Sequence, residues 1–247
     1  MHGSTPSTTP DAHSTSEYAA YLRIPELLEL QDCRTPASHD ELLFIIVHQQ
    51  FELWFKLIIH ELREAIRLLD EGDFSGADTI LDRTEKTLIH LTASFDILDT
   101  MPVDHFLEFR DPLAPASGGQ SWQYHAILSL LADPGSAKPS VWRSFLSSLH
   151  LPDGRKAHDG SREERTAALA ALYHEHGGWP SYGQYRLMER LTSLDVRVAL
   201  WKERHVLLAE RHIGRRTGTG GTSGVSFLLS HTEQRLFPEL WDVRNSL

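Results

Sequence analysis

The sequence predicts an all-α protein, and three observations carry that reading. Apolar residues recur at helical spacing over long stretches, as at positions 44, 48, 51, 55, 58, 59 and 62. No useful length alternates polar with β-branched residues, as a half-buried strand would. The breaks between periodic stretches, such as "DEGDFSG", "DPLAPASGG" and "RRTGTGGTSG", have the Gly, Pro and Asp of helix connectors. Several long helices packed as a bundle follow.

Length and charge narrow the class. At 247 residues the chain is near the upper size of one hydrophobic core. We expect a Ser/Thr/Pro-rich disordered arm over 1–16 and a single domain over 17–247. Net charge is −10, with Lys and Arg scattered, so neither nucleic acid nor an anionic membrane is an expected partner. Cys33 is the one cysteine, which excludes an intrachain disulfide and a thiolate cluster. No basic-then-apolar leader is visible and no apolar run approaches ~18 residues, so a cytoplasmic protein is expected.

The elements follow in order. Pro25 in "YAAYLRIPELLELQ" suits the first position of a short helix. "SHDELL" offers a capping box, with Ser38 as N-cap and Glu41 three residues on, opening a helix to about Asp70. Glu52 and Lys56 on it are spaced for a surface ion pair. A second long helix is expected over 75–100, with Ile80, Leu81, Leu88, Ile89, Leu91, Phe95 and Leu98 inward and Pro102 ending it. Residues 111–119 read as a loop, followed by a helix through "QSWQYHAILSLLA". Between 133 and 182 short helices are expected around 139–149 and 161–175. A long helix then runs from about Gly183 through "ERHVLLAERHIG", followed by the glycine-rich loop and two short helical pieces.

Four places could carry chemistry. His48 sits among Phe44, Ile45, Ile46, Val47, Phe51, Trp54 and Phe55; a lone histidine there is most simply a core residue bonded to a backbone carbonyl. His205 has a similar seat, with Leu200, Trp201, Leu208 and Ile213 around it and Lys202, Glu203, Glu210 and Arg211 outward. Two such histidines on two long helices would suit a flat cofactor held between them, haem above all, since neutral imidazole is a common axial ligand. "RTGTGGTSG" (216–224) lacks the Lys-Ser/Thr pair and preceding strand of a phosphate loop. It reads either as a plain connector or as a nest of backbone N–H groups for a carboxylate. Arg110 in "FLEFRDPL" is either a carboxylate clamp or an ion-pair partner of Asp111 or Glu108. Most of the other histidines, His125, His150 and His158 among them, are expected on the surface.

"YAAYLRIPELLELQ", "HDELLFIIVHQQFELWFKLIIHEL", "FLEFRDPLAPASGGQSWQY", "WKERHVLLAERHIGRRTGTGGTSG" and "LFPELWDVR" together resemble the tryptophan 2,3-dioxygenase family. The resemblance covers most of the chain outside 1–16 and the middle section. It implies a haem b enzyme that uses O2 to cleave the indole C2–C3 bond of L-tryptophan to N-formylkynurenine, in tryptophan catabolism by the kynurenine pathway. By the same resemblance His205 is the proximal iron ligand and His48 the distal histidine that meets the indole N–H. Arg110 and Thr219, with Gly218, hold the amino-acid end. Phe44, Phe106 and Leu113 wall the indole pocket, and Ser117 and Tyr124 line the haem pocket. Tyr18, Tyr21 and Leu22 reach a neighbouring subunit's site in a homotetramer.

Three departures from the family pattern bear on the substrate. Gly119 stands where "GFQS" commonly places an aromatic, the section between Tyr124 and His205 is short, and little follows "WDVR". They leave open a related haem mono-oxygenase that hydroxylates a tryptophan derivative or another aromatic amino acid in secondary metabolism.

Overall fold

The computed structural model describes residues 16–132, 138–174 and 181–247. The expected disordered arm lies outside these residues but for Ser16, whose hydroxyl accepts the Ala19 N–H and caps the first helix. The elements are α1 (Glu17–Leu22), α2 (Ile24–Leu28), α3 (Glu41–Asp70), α4 (Phe74–Leu98), α5 (Val103–Leu113), α6 (Trp122–Leu131), α7 (Val141–Ser147), α8 (Arg162–His174), α9 (Tyr182–Ile213), α10 (Val225–Leu229) and α11 (Pro238–Asp242). Among the described residues there is no strand, only an isolated bridge between His150 and Lys156.

Three long helices, α3, α4 and α9, make the frame. Gly72, at φ +79°, turns the chain out of α3, and the Asp73 carboxylate caps α4 by accepting the Gly76 N–H at 2.9 Å. Two side-chain contacts fix the α3–α4 register. Glu61, buried, takes Arg83 Nη1 on both oxygens at 2.9 Å, and Gln50 donates to Ser94 Oγ at 3.0 Å. Pairing 61 with 83 and 50 with 94 makes these helices antiparallel. On the far side of α4, Arg190 meets Asp78 and Glu85, and Arg204 meets Asp96 and Asp99. Those numbers rise together, so α4 and α9 are parallel. Each exposed pair is worth little alone; the row of them sets the sliding position of α9.

Burial supplies the stability. Ile58, Leu62, Leu81, Leu91, Leu187, Leu191 and Leu194 lose all solvent contact between these helices. Truncating one such leucine to alanine costs roughly 2–5 kcal/mol. At the chain's end Asp195, itself buried, accepts N–H groups from Leu236 (3.1 Å) and Phe237 (3.3 Å) and from Trp241 Nε1 (2.8 Å). That carboxylate anchors the C-terminal segment to α9.

Several local expectations are corrected. Asp40, not Ser38, is the N-cap of α3, and no capping box forms. Glu41 turns back past the cap to accept the N–H groups of Arg34 (2.9 Å) and Thr35 (2.6 Å). α4 ends at Leu98, and Pro102 instead precedes α5 as its N-cap, its extended backbone suited to that place. α5 takes in Asp111, Pro112 and Leu113, expected as loop; a proline in the last turn interrupts little that follows it. Ile89 and Leu200 face solvent, because Leu88, Leu91, Val198 and Ala199 hold the inward positions of their turns. Lys202 is buried, where desolvation lowers its pKa against the pull of nearby Asp195. Glu52 accepts from Gln123 Nε2 at 2.8 Å rather than pairing with Lys56.

A candidate cofactor and ligand site between α3, α5 and α9

α3 and α9 each present one imidazole to a common aromatic cluster. His48 Nδ1 lies 2.7 Å from the Phe44 carbonyl oxygen one turn earlier. A carbonyl only accepts, so the proton sits on Nδ1 and Nε2 keeps a free lone pair. Burial pushes the His48 pKa down, opposed by the Phe44 bond and by Glu52, so the ring is neutral. The Phe44 ring lies 3.9 Å from it.

His205 is shifted the same way. Burial, with repulsion from His48 added, lowers its pKa to about 4. The two rings are linked through aromatics, since His48 lies 6.0 Å from Phe51, which lies 6.5 Å from Trp201. The His205 ring stacks on Phe95 at 5.8 Å, with 5° between planes, and lies 5.6 Å from Trp201. No hydrogen bond to it is found among the described residues, so both the neutral state and a nitrogen lone pair are available at neutral pH.

Aromatic rings close the surroundings. Trp201 lies 6.5 Å from Phe51, 6.2 Å from Phe55, 5.5 Å from Phe95 and 5.1 Å from Tyr124. Burial raises the Tyr124 pKa to about 12, so it stays a phenol. Trp201 Nε1–H is buried with no acceptor. A buried donor without a partner is costly and marks a place where an acceptor belongs.

The other side of the candidate site is built by α5 and the glycine-rich loop. Phe106 and Phe109 face Phe44 at 6.1 and 5.5 Å. One position on, the Arg110 side chain is largely covered. Its Nη2 donates to the Thr217 carbonyl at 2.6 Å and its Nη1 reaches Asp111 at 3.3 Å, while Nε is buried and unpartnered. The expected ion pair with Asp111 is present. Thr219 Oγ1 donates to the Ala116 carbonyl at 2.6 Å. Gly220 lies against Ser117 so closely that a Cβ would come within 2.8 Å of the Ser117 Cβ. These contacts dock residues 216–224 onto 114–117. The nest reading is narrowed, because Gly218 N–H bonds Thr222 O and Gly221 N–H bonds Gly218 O, and the following α10 has only five residues. Gly218 therefore offers no free backbone donor.

The remaining predicted residues divide. Leu113 ends α5, and Ser117 caps the short 3-10 turn Gly118–Gln120 beside the docked loop. Gly119 is not required by its backbone, and a Cβ there would meet only Ser117 Oγ at 3.7 Å, so a larger side chain would fit. Tyr18, Tyr21 and Leu22 lie on α1, 71%, 86% and 43% exposed, and are not brought to the cavity of their own chain. His125 and His150 are exposed as expected, but His158 is half-buried beside Ser147 Oγ at 2.9 Å. His212 was not anticipated. It lies two turns after His205 on the same face of α9, and that spacing was the only signal.

These residues fit a haem. The donor is a neutral imidazole without a competing hydrogen bond, the kind that takes an iron whose other ligands come from the macrocycle. The walls are flat and apolar, and Trp201 Nε1–H awaits an acceptor.

An all-helical protein in which two imidazoles border one aromatic cluster, with an arginine on the neighbouring helix, falls in the class of helical proteins with a candidate haem pocket. Comparison narrows the class. The family model described as tryptophan 2,3-dioxygenase matches residues 5–138 and 137–247. Tryptophan 2,3-dioxygenase from Caulobacter vibrioides is 37% identical, over 93% of this chain and 98% of its own. The Nocardioides sp. enzyme of that name is 36% identical, over 93% and 94% respectively. The one from Myxococcus xanthus is 34% identical, over 98% and 93%. The chain belongs to the tryptophan 2,3-dioxygenase family.

Proposed function

We propose that this protein is a haem-dependent dioxygenase that cleaves the indole C2–C3 bond of L-tryptophan to N-formylkynurenine, and that it works as a homotetramer. The observation that carries the reading is that two imidazoles, His48 on α3 and His205 on α9, border one aromatic cluster, His48 through Phe51 and His205 through Phe95 and Trp201. The names of its relatives favour ring cleavage over hydroxylation. The exposed Tyr18, Tyr21 and Leu22 support an assembly in which α1 is covered by a neighbouring copy.

In this reading His205 holds haem b, with Trp201, Tyr124 and Ser117 along its pocket. Bound haem supplies the chemistry that activates O2 and delivers both oxygen atoms to the indole. The chain's own residues position and exclude. His48 Nε2, left bare because Nδ1–H is committed to Phe44, accepts the indole N–H and orients the ring. Phe44, Phe106 and Leu113 keep water from the ring carbons, which leaves the few polar contacts to act in a low dielectric. Arg110 and Thr219 hold the carboxylate and ammonium, fixing the distance from the charged end to the reacting bond. A substrate held at both ends reacts without the orientational loss of a free encounter.

The test is incubation of the reduced holoprotein with L-tryptophan under labelled O2. A product carrying two labelled oxygens is expected. One labelled oxygen in a hydroxylated product would establish the mono-oxygenase reading instead.

A further inference from the structure

We propose that His212 is a positioning residue: by donating from Nε2 to the Met101 carbonyl it pins the start of α5, and with it Phe106 and Arg110, onto α9. His212 is 5% exposed in the last turn of α9. Its Nδ1 lies 2.9 Å from the Leu208 carbonyl oxygen and its Nε2 3.2 Å from that of Met101. A carbonyl only accepts and a neutral imidazole carries one N–H, so both contacts are bonds only when both ring nitrogens are protonated, and the tie to Met101 requires the proton on Nε2. The Met101 contact crosses to the turn between α4 and α5. The ring edge meets Phe106 at 5.5 Å, Phe106 meets Phe44 at 6.1 Å, and Phe44 lies 3.9 Å from His48. One imidazole therefore touches both the backbone that starts α5 and the aromatic cluster around Phe44.

The tie matters because it reaches the backbone at the start of α5, whereas His105 to Asp40 and Arg110 to Thr217 work through side chains and Arg34 holds the far end at the Pro112 carbonyl. α5 is eleven residues long, carries Pro112 in its last turn, and packs chiefly on α9. Met101 is buried, so its carbonyl has no water to replace a lost donor. The charged groups nearby are engaged elsewhere or exposed. Asp99 holds Arg204 and Arg211, His105 holds Asp40, and Asp104, Glu108 and Glu210 face solvent. None can stand in for His212.

The kinetic half of this inference rests on the function proposed above; the structural half does not. The experiment compares haem-loaded wild type with His212→Leu, which keeps apolar volume and loses the donor, and His212→Gln, which keeps an N–H. Amide exchange over residues 99–113 and the kinetics on L-tryptophan are both read. In His212→Leu, exchange over 99–113 and KM should each rise about three- to tenfold, the worth of roughly one hydrogen bond. Exchange in α3 and α4, haem content and kcat should hold, and His212→Gln should restore most of both losses. Unchanged exchange over 99–113 overturns the tie, and raised exchange with unchanged KM overturns the positioning role. If wild type does not act on tryptophan, the functional reading fails while exchange still decides the tie. Should His212→Leu not fold, nitrogen-15 spectra of the wild-type ring decide, and an unprotonated Nε2 overturns the proposal.

Discussion

Arg110 Nη2 donates to the carbonyl oxygen of Thr217 at 2.6 Å, a bond between the last turn of α5 and the loop that follows α9. It holds the guanidinium in place before any ligand arrives, and leaves Nε buried and unpaired. A group fixed in advance loses little freedom on binding, so its contact with a carboxylate should be strong.

Arg110→Ala should therefore lower kcat/KM for L-tryptophan by about thirtyfold to several thousandfold, since breaking such a buried charged contact costs roughly 2–5 kcal/mol. Haem content should hold. Tryptamine, without a carboxylate, should be a poor substrate and change little. An unchanged tryptophan-to-tryptamine ratio between wild type and variant would place the clamp elsewhere.

His205→Ala should lose stable haem, because among the described residues no other imidazole stacks on Phe95 and Trp201. The measurement is haem per chain after purification, with the ferrous spectrum beside it. A variant purified with full haem and the wild-type spectrum would remove His205 from the iron.

His48→Ala should keep haem and lose orientation. The expected change is a raised KM and a modest fall in kcat, well short of the ~10²–10⁴-fold loss that follows removal of an obligatory general base. Equal turnover of L-tryptophan and 1-methyltryptophan by the wild type would argue against any contact of Nε2 with the indole N–H.

The haem-free protein should weaken in acid. The His205 pKa is about 4 in the fold against 6.5 ordinarily. The unfolded chain therefore binds that proton first, and the stability associated with the neutral ring is complete above the unfolded value and lost as pH falls through the folded one. At ~1.36 kcal/mol per pKa unit the loss approaches about 3 kcal/mol. Urea midpoints of haem-free wild type and His205→Leu, taken from pH 7 to pH 4, should show the wild type falling faster. Parallel curves would mean the ring is not held neutral by burial.

Asp195→Ala should cost about 2–4 kcal/mol, because it leaves the Leu236 and Phe237 N–H groups and Trp241 Nε1 without an acceptor in a buried place. Chemical denaturation followed by tryptophan fluorescence would register it. A loss below about 1 kcal/mol would show that water reaches those donors.

What the sequence revealed depended on how local the cause was. α3 and α9 were legible because their apolar stripes repeat through eight turns or so, and the ends of α3 fell within a residue or two of expectation. α5 was not, since "RDPLAP" carries the signs of a loop, and the helix is held by what α9 places against it. The Ser38 cap failed for a related reason: Glu41 had two loop N–H groups to satisfy, and no count of spacing shows them. His48 and His205 could be paired from their like seats on two long helices, but only family resemblance said which would be the ligand and which would meet the substrate. The bond from Arg110 to Thr217 left no trace in either segment.

The glycine-rich loop and His205, the proposed iron ligand, differ in what holds them. His205 lies two turns inside a 32-residue helix braced by Phe95 and Trp201. Thr217 and Thr219 hang beyond the end of that helix on single bonds to Arg110 and Ala116. Warming frays a helix from its ends, so the tether at Thr217 should loosen well before the seat of His205 does. A gently heated preparation would then keep its colour while losing its ability to recognise an amino acid, and absorbance would overstate the fraction still able to work.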